Sequence, residues 1–306
     1  MLSDFNFSDL AISHTPETSR FKIHPGDMRL EKIPEYLYSD VEQLKVKFSA
    51  MKSTKFRSTL DGDIKLRVQR RDTPDGPVFI ARRISGALLP LDRLGIAPAV
   101  LARLKSPMLR SGLVLFTGGP GAGKTTAACS LLVERLNTIG GFTWTAENPV
   151  EYDLSGEYDL GQCYQVEIDS DSEVKNVLMD TLRSSADTFY IGEIREDVGA
   201  KSAALASSSG MLVIATLHSD GPQQALIKLG MLSGYETVAQ SLRAIISMKM
   251  DIRPSSSGPR RILSIVPFFV EDDAIRMKIQ RGDMASINSD IELQKNKLLS
   301  TPTGRL

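Results

Sequence analysis

The sequence predicts an α/β fold, and three observations lead to this prediction. Between residues 112 and 217, short apolar runs suited to buried strands alternate with segments of helical periodicity. A glycine-rich segment, residues 118–125, joins the first apolar run to the first helical segment. Later runs lead directly into Glu147, Glu193 and His218. Because the carboxyl ends of parallel strands meet at one edge of a sheet, we expect these side chains to share a site.

The glycine-rich segment fits the phosphate-binding pattern G-x-x-x-x-G-K-[ST] at every fixed position. With one further residue of the helix, the predicted loop is Gly118, Gly119, Pro120, Gly121, Ala122, Gly123, Lys124, Thr125 and Thr126. Glycines let backbone N–H groups approach phosphates closely, Lys124 adds a positive charge, and the Thr125 hydroxyl can bind Mg²⁺. The pattern predicts a purine-nucleotide site; a glycine-rich surface turn is the alternative.

The order of strands and helices around the loop follows from residue patterns. The predicted strands are residues 112–117, 142–146, 188–192 and 211–217. The helix after the loop carries Ala127, Ala128, Leu131, Leu132 and Leu136 at helical spacing and stops at Gly140 and Gly141. A capping box at residues 170–173 starts a second helix, with Val174, Val177, Leu178 and Leu182 on one face. Asp197 is expected to cap a third helix, which Gly210 ends.

The region ahead of the loop predicts a separate, smaller domain. Strict alternation over residues 64–69 and a turn at Asp75 and Gly76 indicate a β-hairpin. Residues 34–58 are helical or mixed, and the connector at residues 85–100 contains Pro90, Gly95 and Pro98. We therefore predict an N-terminal α+β domain over residues 1–95 and a second domain over residues 96–306.

The end of the chain has weaker patterns. Beyond residue 252 we predict a loop at residues 254–259 and a strand at residues 261–269. The last twenty residues are expected to form a fraying helix and a tail. No internal repeat is evident.

Charge and composition limit the classes of partner. The 306 residues are 42% hydrophobic, and Lys+Arg and Asp+Glu both total 37, so the formal net charge is zero. No overall field attracts the protein to nucleic acid or an acidic membrane, and we expect no stable nucleic-acid binding. From Lys45 to Arg71, however, nine basic residues stand against Asp61 and Asp63. This bias favours a solvated basic face, which is also suited to phosphates, a partner or a subunit seam.

The sequence also predicts a compartment. The first residues lack the pattern of a signal peptide, and no apolar stretch approaches the roughly 20 residues needed to span a bilayer. A cytosolic protein without a transmembrane segment is therefore expected. Cys129 and Cys163 have neither disulfide-framework nor metal-ligand spacing, so we predict free thiols. His14, His24 and His218 are too scattered to indicate a metal site.

Hydrolysis of a bound nucleotide needs a group that places water and a group that organises Mg²⁺. Glu147, in T-A-E-N-P-V-E-Y at residues 145–152, is followed by a proline that ends the strand. Glu193, in I-G-E-I-R-E at residues 191–196, follows an apolar strand as in a Walker B element. Either glutamate alone would be interpreted as a surface residue. Together with the phosphate loop, they predict a hydrolase.

The order of these motifs resembles the secretion ATPase superfamily, which powers type II secretion, type IV pili and type IV secretion. The motifs are the phosphate loop, residues 145–152, residues 191–196 and A-T-L-H-S at residues 215–219. The chain is most similar to the PilT-like pilus retraction ATPases, and N-terminal blocks agree at residues 7–13, 26–29, 66–68 and 81–84. The resemblance covers roughly residues 7–250. It implies a RecA-like P-loop ATPase domain with a smaller N-terminal α+β (PAS-like) domain, and ATP and Mg²⁺ as ligands.

The resemblance also implies roles for individual residues. Glu147 would be the general base, and His218 would sense or position the γ-phosphate. Glu193 would support the Mg²⁺ shell through water, and Thr125 would bind the metal.

By the same resemblance the protein forms a homo-hexamer in which N-terminal arginines reach nucleotide, within one subunit or in a neighbour. Arg67, Arg82 and Arg83 are the candidates. Arg67 also alternates outward from an apolar strand face, so simple solvation is its alternative.

Departures from the family pattern leave alternatives open. Asn148 replaces the usual aspartate beside the base, Glu196 replaces the aspartate after Arg195, and the chain beyond residue 250 follows the retraction pattern poorly. Assembly-type relatives often insert a four-cysteine zinc module, which two distant cysteines cannot form.

The resemblance therefore implies a retraction motor, peripheral to the inner membrane and bound to a pilus or secretion platform protein. The alternatives are the ATPase of a conjugative or type IVB secretion channel, a regulatory ring with little turnover, and a nucleic-acid motor. The regulatory ring is suggested by Asn148 and Glu196. The nucleic-acid motor has only the basic stretch in its favour.

Overall fold

The computed structural model describes residues 1–23, 28–61, 64–84, 88–253 and 260–299. By its internal contacts the chain divides into two units. The first is Met1–Gly86 with Glu151–Asp153, and the second is Ala87–Val150 with Leu154–Leu306. The sequence placed a domain boundary near residue 95, whereas this division falls before Ala87. Within the described ranges, no helix combines the length and the apolar character needed to cross a membrane.

The first unit is an antiparallel sheet with a helix packed on one face. Its strands are β1 (Asp9–Ile12), β2 (Arg20–Lys22), β3 (Glu31–Lys32), β4 (Lys55–Leu60), β5 (Ile64–Thr73) and β6 (Gly76–Arg83), in the spatial order β3-β2-β1-β6-β5-β4. Helix α1 (Tyr38–Ser49) adds Val41, Leu44 and Phe48 to the core. The hairpin predicted at Asp75 and Gly76 is present, since β5 and β6 pair up to Thr73 and Gly76. The unit is α+β, and its likeness to a PAS domain stays a prediction.

The two faces of this sheet differ because strand residues alternate between them. Leu66 and Val68 of β5 are fully buried, as are Phe79 and Ala81 of β6. Their neighbours along each strand, Arg67 among them, therefore project from the opposite face.

The second unit is a largely parallel sheet between helices. Its strands are β7 (Gly112–Thr117), β8 (Gly141–Glu147), β9 (Gly156–Glu157), β10 (Gly161–Glu167), β11 (Thr188–Ile191), β12 (Leu212–Leu217), β13 (Leu242–Arg253) and β14 (Arg260–Phe269). The spatial order is β14-β13-β7-β12-β11-β8-β10-β9, with β14 and β9 antiparallel at the edges. Its helices are α2 (Pro98–Leu104), α3 (Lys124–Thr138), α4 (Val174–Arg183), α5 (Asp197–Ser208), α6 (Pro222–Ser233), α7 (Tyr235–Ser241), α8 (Asp273–Arg281) and α9 (Met284–Leu299).

The predicted strands and helices around the phosphate loop are confirmed. Every residue of β7, β11 and β12 is buried, as expected for central parallel strands with helices on both faces. The predicted strand at residues 261–269 is β14, and the predicted last helix is α9. Strand β13 was not predicted. The loop expected at residues 254–259 and the tail after residue 299 lie outside the described residues, as do Gly26 and Asp27. Cys129 and Cys163 are buried, and neither is in a disulfide.

Two predicted helix caps differ in the structure. Ser170 Oγ lies 3.2 Å from Glu173 Oε1 instead of accepting a backbone N–H, and residues 171–173 form a 3₁₀ turn before α4. Asp197 is the first residue of α5, because Glu196 occupies the N-cap position. The acidic side chain of Asp197 in the first turn still interacts favourably with the helix dipole. The start of α5 was therefore predicted correctly, but the predicted capping residue was wrong.

A buried arginine ties α3 to the end of α2 and to the chain that follows it. The guanidinium of Arg135 donates to Leu104 O at 2.9 Å, to Ser106 O at 3.2 Å and to Leu109 O at 2.5 Å. Desolvation lowers the pKa of Arg135 to about 10, so the side chain remains protonated at neutral pH. Since α3 begins with the phosphate loop, this contact helps to fix the helix that carries Lys124.

Arg135→Ala is expected to lower the free energy of unfolding by about 2–4 kcal/mol, because one buried and two partly buried carbonyls lose charged donors. Arg135→Lys should lose less, since an ammonium keeps the charge but not the planar fork of donors. Urea unfolding measures both values. Arg183→Ala, at an exposed position of α4, is the control. Equal stabilities of Arg135→Ala and this control would contradict the prediction.

Candidate nucleotide-binding site

The phosphate loop lies where the sequence placed it, between β7 and α3. Gly118, Gly121 and Gly123 have φ values of 149°, 72° and 87°, which residues with a side chain rarely adopt. A Cβ on Gly118 would lie 2.2 Å from the Met248 carbonyl oxygen, so the backbone leaves no room for a side chain there. The loop ends at the N-terminus of α3, where backbone N–H groups lack helical partners and can bind phosphate.

Lys124 starts a chain of polar contacts along the strand ends. Its side chain is buried, and Nζ donates to Gly119 O at 3.0 Å and lies 3.3 Å from His218 Nδ1. His218 Nε2 is 3.1 Å from Glu193 Oε1. An ammonium can only donate, so Nδ1 accepts and Nε2 carries the proton that is donated to Glu193. A neutral imidazole in this tautomer satisfies both contacts. The His218 ring therefore links Lys124 to Glu193.

Arg195 holds the other side of Glu193. Its Nε donates to Glu193 Oε2 at 2.8 Å, and a terminal nitrogen donates to Asn148 O at 3.2 Å. A third contact reaches Asp171 Oδ1 at 3.5 Å. Among the described residues, the carboxylates that Arg195 contacts are those of Glu193 and Asp171. Arg195 thus connects the ends of β8 and β11, a role that no local sequence pattern indicates.

Glu147 is the last residue of β8 and is almost completely buried, with 1% of its surface exposed. Its Oε1 accepts from Thr145 Oγ1 at 2.7 Å and from Gln165 Nε2 at 2.8 Å. Gly192 lets the end of β11 approach it closely, since a Cβ there would lie 3.3 Å from Glu147 Cα. Glu147 and Glu193 therefore lie at neighbouring strand ends, as predicted.

Asn148 gains a contact that an aspartate could not make. Its Nδ2 donates to Asp169 O at 3.0 Å and so ties the end of β8 to the chain after β10. A carboxylate would face this carbonyl oxygen without a proton to donate. The departure from the family pattern thus removes a charge beside Glu147 and adds a neutral hydrogen bond in its place.

The donor chemistry near the loop fits Mg²⁺. Thr125 lies in the first turn of α3 directly after Lys124, and the carboxylate of Glu193 is joined to Lys124 through His218. A hydroxyl and a carboxylate are the hard oxygen ligands that Mg²⁺ prefers, together with water and nucleotide phosphates.

The predicted arginines divide between the two faces of the first unit's sheet. Arg67 lies in register with Arg82 on one side and Arg57 on the other, which forms a row on the face opposite the core. Arg82 is half exposed, and its Nε lies 2.5 Å from Asp9 Oδ1. Arg57 was not among the predicted arginines, although alternation along β4 was an available signal.

Arg83 lies on the other face and holds the N-terminal segment. It donates to Ser3 O at 2.9 Å and to Phe5 O at 2.8 Å, and its guanidinium is 4.4 Å from the centre of the Phe7 ring. Desolvation lowers the pKa of Arg83. The contacts of Arg83 therefore anchor the N-terminal segment. Arg83 lies on the opposite face of the sheet from Arg67 and Arg82.

The parallel sheet, the phosphate loop and the acidic strand ends define a P-loop nucleotide-binding protein. Residues 52–280 match the family model described as type II/IV secretion system protein, which covers more than half of the chain. The chain belongs to this family, and the resemblance drawn from its motifs is confirmed.

Relatives within the family have several roles. The chain is 37% identical over 169 residues to the type II secretion system protein HxcR of Pseudomonas aeruginosa, covering 54% of this chain and 35% of that protein. It is 31% identical over 215 residues to the type IV pilus assembly ATPase PilB of Thermus thermophilus, covering 65% and 24%. It is 26% identical over 294 residues to a twitching motility protein of Neisseria gonorrhoeae, covering 90% and 76%. The chain thus spans well under half of the first two relatives.

Solved structures confirm the RecA-like fold. The pilus retraction motor PilT with bound ADP superposes with a TM-score of 0.77 at 20% identity, covering 97% of this chain and 89% of that chain. The Legionella pneumophila ATPase DotB superposes with a TM-score of 0.72 at 18% identity, covering 94% and 85%.

Proposed function

We propose that this chain is an ATP-hydrolysing subunit of a hexameric motor that drives type IV pilus retraction from the cytoplasmic face of the inner membrane. The observation that carries the proposal is the buried Glu147 beside the contact chain of Lys124, His218 and Glu193. Similarity to a twitching motility protein over 90% of the chain supports the pilus system. The platform protein at the membrane is the expected partner.

ATP binding begins at the phosphate loop. Backbone N–H groups of the loop and of the first turn of α3 surround the phosphates, and Lys124 exchanges the Gly119 carbonyl for phosphate oxygens. Thr125 and Glu193 would hold Mg²⁺, which neutralises charge on the phosphates. His218 turns its Nδ1 side toward the same region, so it is suited to detect whether a γ-phosphate has displaced the Lys124 ammonium.

Hydrolysis follows when water attacks the γ-phosphorus. Glu147 accepts a proton from this water as the new O–P bond forms and the bond to the ADP leaving oxygen breaks. Thr145 and Gln165 hold one carboxylate oxygen of Glu147, and this fixes the direction in which the side chain faces. Positioning of the water and stabilisation of charge supply the catalysis, since phosphoryl transfer needs little covalent chemistry from the protein.

Arg67 and Arg82 are proposed to act on nucleotide in a neighbouring subunit. They belong to the row of arginines on the face of the sheet opposite the core, which brings several positive charges into register. An arginine supplied in trans contributes on the order of 10³ to 10⁵ in rate, because it meets charge that develops in the transition state. Arg83 is not retained in this role, since its guanidinium holds Ser3 and Phe5.

Mixing two inactive variants tests a site completed between subunits. Arg82→Ala and Glu147→Gln should each be nearly inactive alone, and a mixture that exchanges subunits should recover turnover at interfaces that pair an intact Glu147 with an intact Arg82. Specific activity of the wild type should also rise with protein concentration as rings form. Recovery in the mixture requires that Arg82→Ala folds, so loss of the Asp9 ion pair cannot imitate this result. No recovery and a concentration-independent rate would contradict a trans arginine.

The cellular role has its own test. A deletion strain that accumulates surface pili without retracting them supports the proposal. Loss of DNA or effector transfer with normal pili favours the alternative, an ATPase of a conjugative or type IVB secretion channel. Clear multiple turnover by the purified protein excludes a regulatory ring that binds ATP without hydrolysing it.

A further inference from the structure

Gln165 lies beside the proposed general base because of strand register. On β10 it pairs with Thr145 of β8, two residues before Glu147 and on the same face of the sheet. Its Nε2 donates to Glu147 Oε1 at 2.8 Å, and Thr145 Oγ1 donates to the same oxygen at 2.7 Å. The carboxylate cannot rotate about its last torsion without losing both bonds.

The other end of the Gln165 amide is fixed as well. Its Oε1 accepts from Leu154 N at 2.6 Å and from Ser155 N at 3.0 Å. Backbone N–H groups can only donate, so they settle which end of the amide is oxygen. The NH₂ group must then face Glu147, and the amide is oriented by the main chain rather than by the carboxylate that it holds.

We propose that Gln165 is a positioning residue for catalysis, which sets the direction of the Glu147 carboxylate toward the attacking water. The proposal rests on the proposed function, in which Glu147 takes the proton from this water. A base must lie within hydrogen-bond reach of its proton, and a misplacement of about 1 Å can cost on the order of 10²-fold in rate. Gln165 contributes through Glu147 and does not contact the reacting atoms.

Two variants separate the two ends of the amide. Gln165→Ala removes the donor to Glu147 and the acceptor for Leu154 and Ser155. Gln165→Glu keeps an acceptor for these N–H groups and places a second carboxylate against Glu147. Gln162→Ala, on the opposite face of the same strand, is the matched control. ATP turnover as a function of pH, ATP affinity and the melting temperature are measured for all three and for the wild type.

The expected result is a separation of turnover from binding. Gln165→Ala should lower kcat by about 10- to 100-fold with KM within twofold, because only the direction of the base changes. Gln165→Glu should shift the acid limb of the kcat profile to higher pH by about one unit, since two adjacent carboxylates disfavour a double negative charge. Gln162→Ala should match the wild type.

Other outcomes overturn the inference. Turnover and pH profile of both Gln165 variants within twofold of the wild type would show that Glu147 needs no such support. If Gln165→Ala fails to fold, an unshifted profile in Gln165→Glu still contradicts the proposal. A fall in kcat matched by an equal loss of ATP affinity and melting temperature would indicate a structural role only. Absence of turnover in the wild type at every protein concentration would instead count against the proposed function.

Discussion

Glu147→Gln is expected to reduce ATP turnover by about 10²- to 10⁴-fold while ATP binding remains. The glutamine has the same shape, and its amide oxygen can still accept from Thr145 and Gln165, so the end of β8 should keep its geometry. An amide, however, cannot take a proton from the attacking water. The variant should therefore hold ATP in an unreacted state.

Steady-state hydrolysis and equilibrium binding of ATP, measured on the same protein, check this result. Glu157→Gln, at the exposed edge strand β9, is the matched control and should behave as the wild type. Turnover by Glu147→Gln close to that of the wild type would place the base elsewhere. Loss of binding together with turnover would mean that Glu147 supports the fold of the site and not its chemistry.

The phosphate loop and the central strands could be predicted because their signals are local. The loop depends on glycines at fixed spacing, and three of its four glycines have positive φ angles. Strands β7, β11 and β12 are buried on both faces, so each is a nearly continuous apolar run that ends in a chemically active residue. Alternating strands and helices then place those ends at one edge of the sheet.

Residues that depend on pairing between distant strands were missed. Gln165 belongs to a polar stretch with no distinctive pattern, and only its register with Thr145 brings it to Glu147. Arg195 likewise gains its importance from contacts with Asn148 and Asp171, which are distant in sequence. Such contacts follow from the completed sheet and have no local sequence signal.

Arg83 shows how a family resemblance and strand alternation can point to different roles for one residue. Phe79 and Ala81 are buried on β6, and strand alternation places Arg83 on their face. The alternation was therefore sufficient to separate Arg83 from Arg82, but the resemblance to a family that uses N-terminal arginines grouped the two together. Strand β13 was missed although residues 246–253, I-S-M-K-M-D-I-R, alternate between apolar and polar residues, which was an available strand signal.

Lys124→Ala is expected to weaken ATP binding strongly and to abolish turnover. The ammonium supplies charge-assisted hydrogen bonds from a buried position, each worth about 1.5–3 kcal/mol. Its loss should weaken ATP binding by roughly 10²-fold or more and reduce turnover further, because transition-state charge on the phosphates also loses its partner. Nδ1 of His218 would lose the hydrogen bond that it accepts from Lys124. The tautomer of the imidazole, and with it the contact to Glu193, would then no longer be fixed.

Lys201→Ala, at an exposed position of α5, is the control for charge removal and should leave both quantities unchanged. Lys124→Arg tests geometry, because Lys124 is only 8% exposed and the planar guanidinium is larger than an ammonium. ATP binding without turnover in Glu147→Gln, and strongly weakened ATP binding without turnover in Lys124→Ala, would separate the binding step from the chemical step. Full turnover in Lys124→Ala would show that this loop is not the ATP site, and the proposed motor function would fail with it.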